Sequence, residues 1–126
     1  MSTHIPPVFA SSDDHQVLVA LQKTLEVSTS PGPVLLTAEI ARLTVVDPKA
    51  QAPFVKIGSR VTYRDLQRPG VRTGRLLMPV DIQSQEDCIS LMAPVGAALL
   101  GLSVDDVFAW EIQGKPRSVK VLEIRG

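Results

Sequence analysis

Apolar residues recur at helical spacing over the first fifty positions and at a spacing of two over much of the rest. Ser11-Ser-Asp-Asp sets hydroxyls and carboxylates ahead of Val17, Leu18, Leu21 and Leu25, the order of a capped helix N-terminus followed by an apolar stripe. A helix from about Ser12 to Val27 is predicted, roughly 24 Å long at 1.5 Å rise per residue. Ser28-Thr-Ser-Pro-Gly-Pro reads as a turn, with Pro33 in the first turn of a second helix. That helix continues through Leu36, Ile40 and Leu43 and stops at Asp47-Pro48. So short a connector predicts an antiparallel helical hairpin.

Past the Pro/Ala/Gln linker between Pro48 and Pro53 the period changes. Val55, Ile57, Val61 and Tyr63 fall on one face while Lys56, Arg60, Thr62 and Arg64 fall on the other, which predicts a strand with one wet side. Further strands are expected from Arg72 to Met78, stopped by Pro79, and from Cys88 to Met92, with Ile89 inward. Pro94-Val-Gly-Ala-Ala-Leu-Leu reads as a short helix with Gly101 just past its end. Val107 to Ile112 and Ser118 to Ile124 then form a hairpin across Gln113-Gly-Lys-Pro, with either face of the last strand able to be the inner one. The expected class is α+β: a helical hairpin at residues 1–50 and, at 51–126, four or five antiparallel strands around one short helix.

Composition narrows what such a protein does. With 126 residues, 44% hydrophobic and 21% charged, the chain supports one core and excludes a multidomain enzyme. Thirteen Lys+Arg balance thirteen Asp+Glu, which argues against bulk phosphate neutralisation and leaves a protein as the expected partner, with no sequence-specific nucleic-acid binding. Residues 1–50 hold three basic against five acidic side chains, and the remainder ten against eight, so the mild asymmetry follows the architecture. A single cysteine, Cys88, suits a reducing, cytoplasmic compartment, and the N-terminus lacks the basic and apolar regions of a secretory signal. No stretch approaches a membrane span, so no membrane partner is expected.

Ile89-Ser-Leu-Met-Ala-Pro-Val-Gly-Ala-Ala-Leu-Leu-Gly-Leu-Ser-Val-Asp-Asp-Val resembles the signature of the C-terminal domain of Gre-type transcription factors, roughly I-S-x-x-S-P-x-x-R-A-L-L-G-x-x-x-G/D-D-x-V. Gly58-Ser-Arg-Val resembles the first strand of that family and Arg75-Leu-Leu-Met-Pro-Val its second. Within it, Met92-Ala-Pro-Val-Gly-Ala-Ala-Leu-Leu-Gly is similar to the Rnk type, the regulators of nucleoside diphosphate kinase, which join a short helical hairpin to the same domain. The resemblance implies an FKBP-like antiparallel sheet and docking onto the β′ coiled coil of RNA polymerase at the secondary-channel rim. The positions it implicates are Met92, Ala93, Pro94, Val95 and Gly96, with Asp106 at the family's acidic position. Pro94 suits a rigid loop because it fixes its own φ and holds Ala93 extended, and Met92 offers an adaptable apolar surface. Met92 and Ala93 stand where Gre factors commonly carry a polar or acidic residue and a serine, and Ala97 where they carry arginine.

Gre factors stimulate cleavage with acidic residues at the tip of a long coiled coil, where carboxylates help hold Mg²⁺. The tip here has no carboxylate and the hairpin is short, so a non-enzymatic regulator is expected, without cofactor or catalytic residue. The alternatives are a degenerate transcript-cleavage factor and an FKBP-like prolyl isomerase, the latter on fold analogy alone. Asp13 and Asp14 lie at the base of helix 1, where charge stabilisation of the helix N-terminus explains them better than a metal. Neither His4 nor His15 has ligand spacing around it, and Cys88 reads as an inert thiol. For Asp106 a turn-stabilising hydrogen bond outweighs a partner contact. Arg60, Arg64, Arg68, Arg72 and Arg75 read as a solvated sheet face in preference to a docking surface for an acidic protein or RNA, because stacking aromatics are few. Trp110 is expected to fill the core.

Overall fold

In the computed structural model, described for residues 7–25, 30–46, 54–82, 87–112 and 114–125, the chain is a mixed α+β structure. It begins β1 (Val8–Ser11), α1 (Ser12–Leu25), α2 (Pro31–Ala41) and β2 (Leu43–Val46), with β1 and β2 paired in parallel from Val8 opposite Leu43 to Ser11 opposite Val46. Helix α1 opens at Ser12 as its pattern predicts, and the Asp14 N–H donates to Ser11 Oγ at 3.2 Å. Helix α2 opens two residues before Pro33: Ser30 is extended, and Pro31 takes the first helical position, where its missing N–H costs nothing.

The expectation that α2 runs through Leu43 to Asp47 is corrected. The helix ends at Ala41, and Leu43-Thr-Val-Val leaves it as a strand. Three consecutive β-branched residues lose rotamer freedom in a helix and gain a ladder against β1. Helix α1 packs against α2. Part of the turn expected between them (residues 26–29) and the linker expected at 48–53 lie outside the described residues.

The second sheet runs β5-β4-β3-β7-β6, from β3 (Arg60–Asp65), β4 (Val71–Leu77), β5 (Cys88–Ser90), β6 (Val107–Ile112) and β7 (Lys115–Arg125), with α3 (Pro94–Leu99) between β5 and β6. Two expectations change here. The first strand starts at Arg60 and not at Val55, because Ile57 and Gly58 form a turn in which Gly58 has φ +95°. Val55 instead donates its N–H to the Leu102 carbonyl at 2.8 Å and accepts the Gly101 N–H at 2.9 Å. The sheet is also not wholly antiparallel, since β5 runs parallel to β4. Pro79 ends the β4 ladder and opens a single 3-10 turn, Pro79–Asp81, so the chain returns by a long connection and not a tight hairpin.

Strand β7 settles which of its faces is inner: Val119 and Val121 are fully buried, and the two residues lie on one side of the sheet. They join a single apolar cluster that also takes Val8, Leu18, Leu36 and Ile40 from the first 46 residues and Val61, Leu76, Leu91 and Leu99 from the rest. Phe54 is the largest fully buried side chain, while Trp110 packs half-buried against the cluster's margin, not in its centre. Among the described residues no helix is long and apolar enough to cross a membrane.

Candidate functional site

Strand β5 ends at Ser90, and the next three residues turn the chain into α3. Ser90 holds that turn twice, its carbonyl accepting the Ala93 N–H at 3.0 Å and its hydroxyl accepting the Met92 N–H at 3.1 Å. Ala93 is extended (φ −81°, ψ 149°), as the residue before a proline should be, and Pro94 is the first residue of α3. The helix closes on itself at once, the Ala97 N–H donating to the Ala93 carbonyl at 2.9 Å. Met92, Ala93, Pro94 and Val95 are half-buried and Gly96 is buried, with Met92 and Val95 resting on the core. Five of the six positions singled out in the sequence thus lie together, Met92 and Ala93 in the tightly held turn and Pro94, Val95 and Gly96 in the first turn of α3.

Two glycines explain how tightly. A Cβ on Gly96 would stand 2.0 Å from the Ser90 carbonyl oxygen, and a Cβ on Gly32, in the first turn of α2, would stand 1.8 Å from the Met92 carbonyl oxygen. The turn is therefore pressed between α3 on one side and α2 on the other, at separations only a hydrogen in place of Cβ permits. Sequence reasoning assigned Gly32 to a connecting turn. No local signal marks its role, because the partner backbone lies about 60 residues further on.

Asp106 is committed to its own turn. Its carboxylate accepts the Ser103 N–H at 2.8 Å and its N–H donates to the Ser103 carbonyl at 3.1 Å, while its carbonyl accepts the Val121 N–H at 3.0 Å. Asp105 beside it has φ 72°. Asp14 reaches further than a helix cap does, accepting the Ile57 N–H at 3.3 Å and so tying α1 to the segment ahead of β3. Burial pushes its carboxyl above the usual range, opposed by the Ile57 hydrogen bond and the charge of Lys56, with Asp13 adding a smaller upward push. Glu39 is likewise pushed up by burial, against its pairing with Arg42, whose Nε lies 2.9 Å from Glu39 Oε2. The same guanidinium lies 5.4 Å from the Phe108 ring centre, linking the end of α2 to β6.

Elsewhere the candidates thin out. Among the described residues no three metal-ligating side chains cluster. Cys88 is half-buried on β5, opposite Arg75. The groove beside Ala109, Trp110, Glu111 and Pro116 has a volume of about 360 Å³ and a single aromatic wall. Trp110 is stacked on Phe108 with ring centres 6.0 Å apart, and the Arg117 guanidinium lies over the Trp110 ring at 5.7 Å while pairing with the buried Asp65 at 2.9 Å.

Comparison with known proteins agrees with the fold. Residues 50–126 match the family described as "Transcription elongation factor, GreA/GreB, C-term". The regulator of nucleoside diphosphate kinase of Escherichia coli (strain K12) is 38% identical over 91 residues, 71% of this chain and 67% of that protein. Transcription elongation factor GreA of Lachnoclostridium phytofermentans is 33% identical over 92 residues, 73% of this chain and 55% of the relative. Among solved structures, a GreA/GreB transcription elongation factor from Nitrosomonas europaea superposes with a TM-score of 0.70 at 34% identity, covering 93% of this chain and 98% of that one. With the family's segment spanning the whole five-stranded sheet, α3 and the clamped turn between them, the chain belongs to the GreA/GreB family of transcription elongation factors.

Proposed function

We propose that the chain is a regulator that binds RNA polymerase at the rim of its secondary channel, through the β5–α3 turn, and does not stimulate transcript cleavage. The observation that carries this reading is the turn itself. Ser90 anchors it, Pro94 fixes its exit and Gly32 and Gly96 let two helices close on it, so little ordering is lost when a partner seats on Met92, Ala93 and Pro94. The β′ coiled coil is the partner surface in this reading, and Asp106 acts by holding the neighbouring turn.

The case against cleavage rests on length and on where the acids lie. Helix α1 has 14 residues, about 21 Å at the usual rise. Asp13 and Asp14 occupy its first turn, and Asp14 is already spent on Ile57. In this reading residues 1–50 are a brace for the docking turn, residues 51–126 the docking domain, and the protein acts in the cytoplasm by occupying a site that other channel ligands need. The name of its Escherichia coli relative makes nucleoside diphosphate kinase the output to follow.

A titration with purified core RNA polymerase, with and without excess Gre factor, tests the reading. Binding that Gre factor displaces is expected, together with no gain in Mg²⁺-dependent cleavage of stalled complexes. The Pro94→Asp variant should lose that binding while keeping its melting temperature; unchanged binding would show that the turn is not the docking element.

A further inference from the structure

The outer face of the five-stranded sheet is a second surface, unrelated to the turn. Strand register puts Arg60 directly opposite Arg75 on one side and Arg125 on the other, and Arg64 directly opposite Lys120. Directly opposed residues share a face, their Cβ atoms about 5 Å apart, and like charges so placed repel. Arg60, Arg64, Arg75 and Arg125 are exposed. Of the five cations only Arg125 has a carboxylate partner among the described residues, Glu123 at 2.6 Å. Sequence spacing groups Arg68 and Arg72 with this set, but Arg72 stands opposite the buried Tyr63 and belongs to the other side of the sheet, and Arg68 lies in the β3–β4 turn. Lys120 and Arg125, which the sequence did not connect to it, take their places.

Three directly opposed cation pairs are a cost the sheet bears in isolation, and an anionic occupant removes it. The layout distinguishes among anions. Protein interfaces have an apolar centre and a polar rim. Here the centre is Arg60, Thr62, Thr73 and Glu123, with the two threonine hydroxyls 3.0 Å apart, while Val71, Leu77 and Val107 lie at the ends and margins. Four of the five cations are arginines, whose planar fork suits phosphate oxygens, and the hydroxyls between them are further donors. The aromatic residues Tyr63, Phe108 and Trp110 share the opposite side of the sheet, so no base stacks on this face. The two cation rows are four residues apart along β3, about 13 Å, room for a short run of a single backbone.

We propose that this face binds single-stranded RNA through its phosphates, without reading sequence. The occupant is RNA because the chain belongs to a transcription elongation family, and transcription produces that single strand. The face differs from the docking turn, so the proposal stands apart from the proposed mode of polymerase binding.

The test is fluorescence anisotropy of the full chain with fluorescein-labelled oligo(U) of 20 nucleotides, from 25 to 200 mM salt. If four cations each meet a phosphate, the logarithm of the binding constant should fall with the logarithm of salt at a slope of about −2.8. The double variant Arg60→Thr/Arg64→Thr should lose at least tenfold in affinity at the lowest salt and bring the slope to about −1.4, while its melting temperature holds or rises as the opposed pairs disappear. Arg72→Thr should change neither, and Pro94→Asp should keep oligo(U) binding whatever it does to polymerase binding. The proposal is overturned if oligo(U) shows no salt-dependent binding at 25 mM, or if Arg72→Thr costs as much as the double variant. It is also overturned if poly-L-glutamate binds the face and oligo(U) does not, which would make the occupant an acidic protein.

Discussion

The β5–α3 turn and the β3–β4 turn are both short, and both contain or adjoin glycine, yet the glycines serve opposite ends. Around Met92 the backbone is enclosed, and Gly32 and Gly96 are there because nothing larger than hydrogen fits between main chains. In the β3–β4 turn, residues 66–70 are all exposed, and Gly70 has open space around it but a φ of +102° that other residues rarely adopt. One turn is determined by what presses on it from distant parts of the chain, the other by its own dihedral angles. The difference teaches where rigidity comes from in this fold: the candidate docking turn borrows it from α2 and α3.

The sharpest way to break that comparison is Gly32→Val. A side chain at that position meets backbone that cannot swing aside, so α2 must part from the turn, at a cost of about 3 kcal/mol in urea unfolding. Polymerase binding should weaken with it if the turn docks as proposed. Gly96→Ala comes next, with about 2 kcal/mol expected. It also separates two causes, because alanine favours a helix over glycine: a loss measures the contact with Ser90, whereas a gain would show that the turn is not closely packed. Ser90→Ala removes the acceptor of the Met92 N–H and should cost about 1 kcal/mol. Gly70→Ala should cost about 1 kcal/mol from its dihedral strain alone and leave polymerase binding untouched.

The smallest effect is one of pH. Burial holds the Asp14 carboxyl above its ordinary value of 3.8, so the folded chain keeps a proton that the unfolded chain has released. The stability this contributes is present in acid and is lost as pH rises from that value through the folded-state pKa. Asp14→Asn keeps an oxygen for the Ile57 N–H and cannot ionise. Its stability should match the wild type in acid and exceed it at neutral pH, a comparison that thermal melts at several pH values would make directly.

Helix α1, strand β4, α3 and the β6–β7 hairpin were legible because their signals are local: a 3.6-residue stripe, a proline stop, Gly101 past a helix end, Gly114 in a turn. Strands β1 and β2 were not. Leu43 continues the spacing of Leu36 and Ile40, so the helical pattern runs on past the point where the backbone leaves it, and the pairing of Val8 with Leu43 spans 35 residues that no short window contains. The parallel direction of β5 was hidden in the same way, since three residues show no direction of their own. Five candidate site residues were legible as a contiguous motif. Their clamping by Gly32 was not, and neither was the assembly of Arg60, Arg75, Arg125, Arg64 and Lys120 on one face, which is a property of register.

The distance in sequence between Gly32 and Met92 also has a consequence during synthesis. A ribosome releases α2 long before β5 and α3 exist, and domains fold N-terminal part first only as far as their contacts are present. Leu36 and Ile40, fully or almost fully buried in the finished molecule, have nothing from the second half to cover them at that moment. The nascent N-terminal unit therefore carries Leu36 and Ile40 uncovered until the second half, the proposed docking turn included, closes the shared core over them.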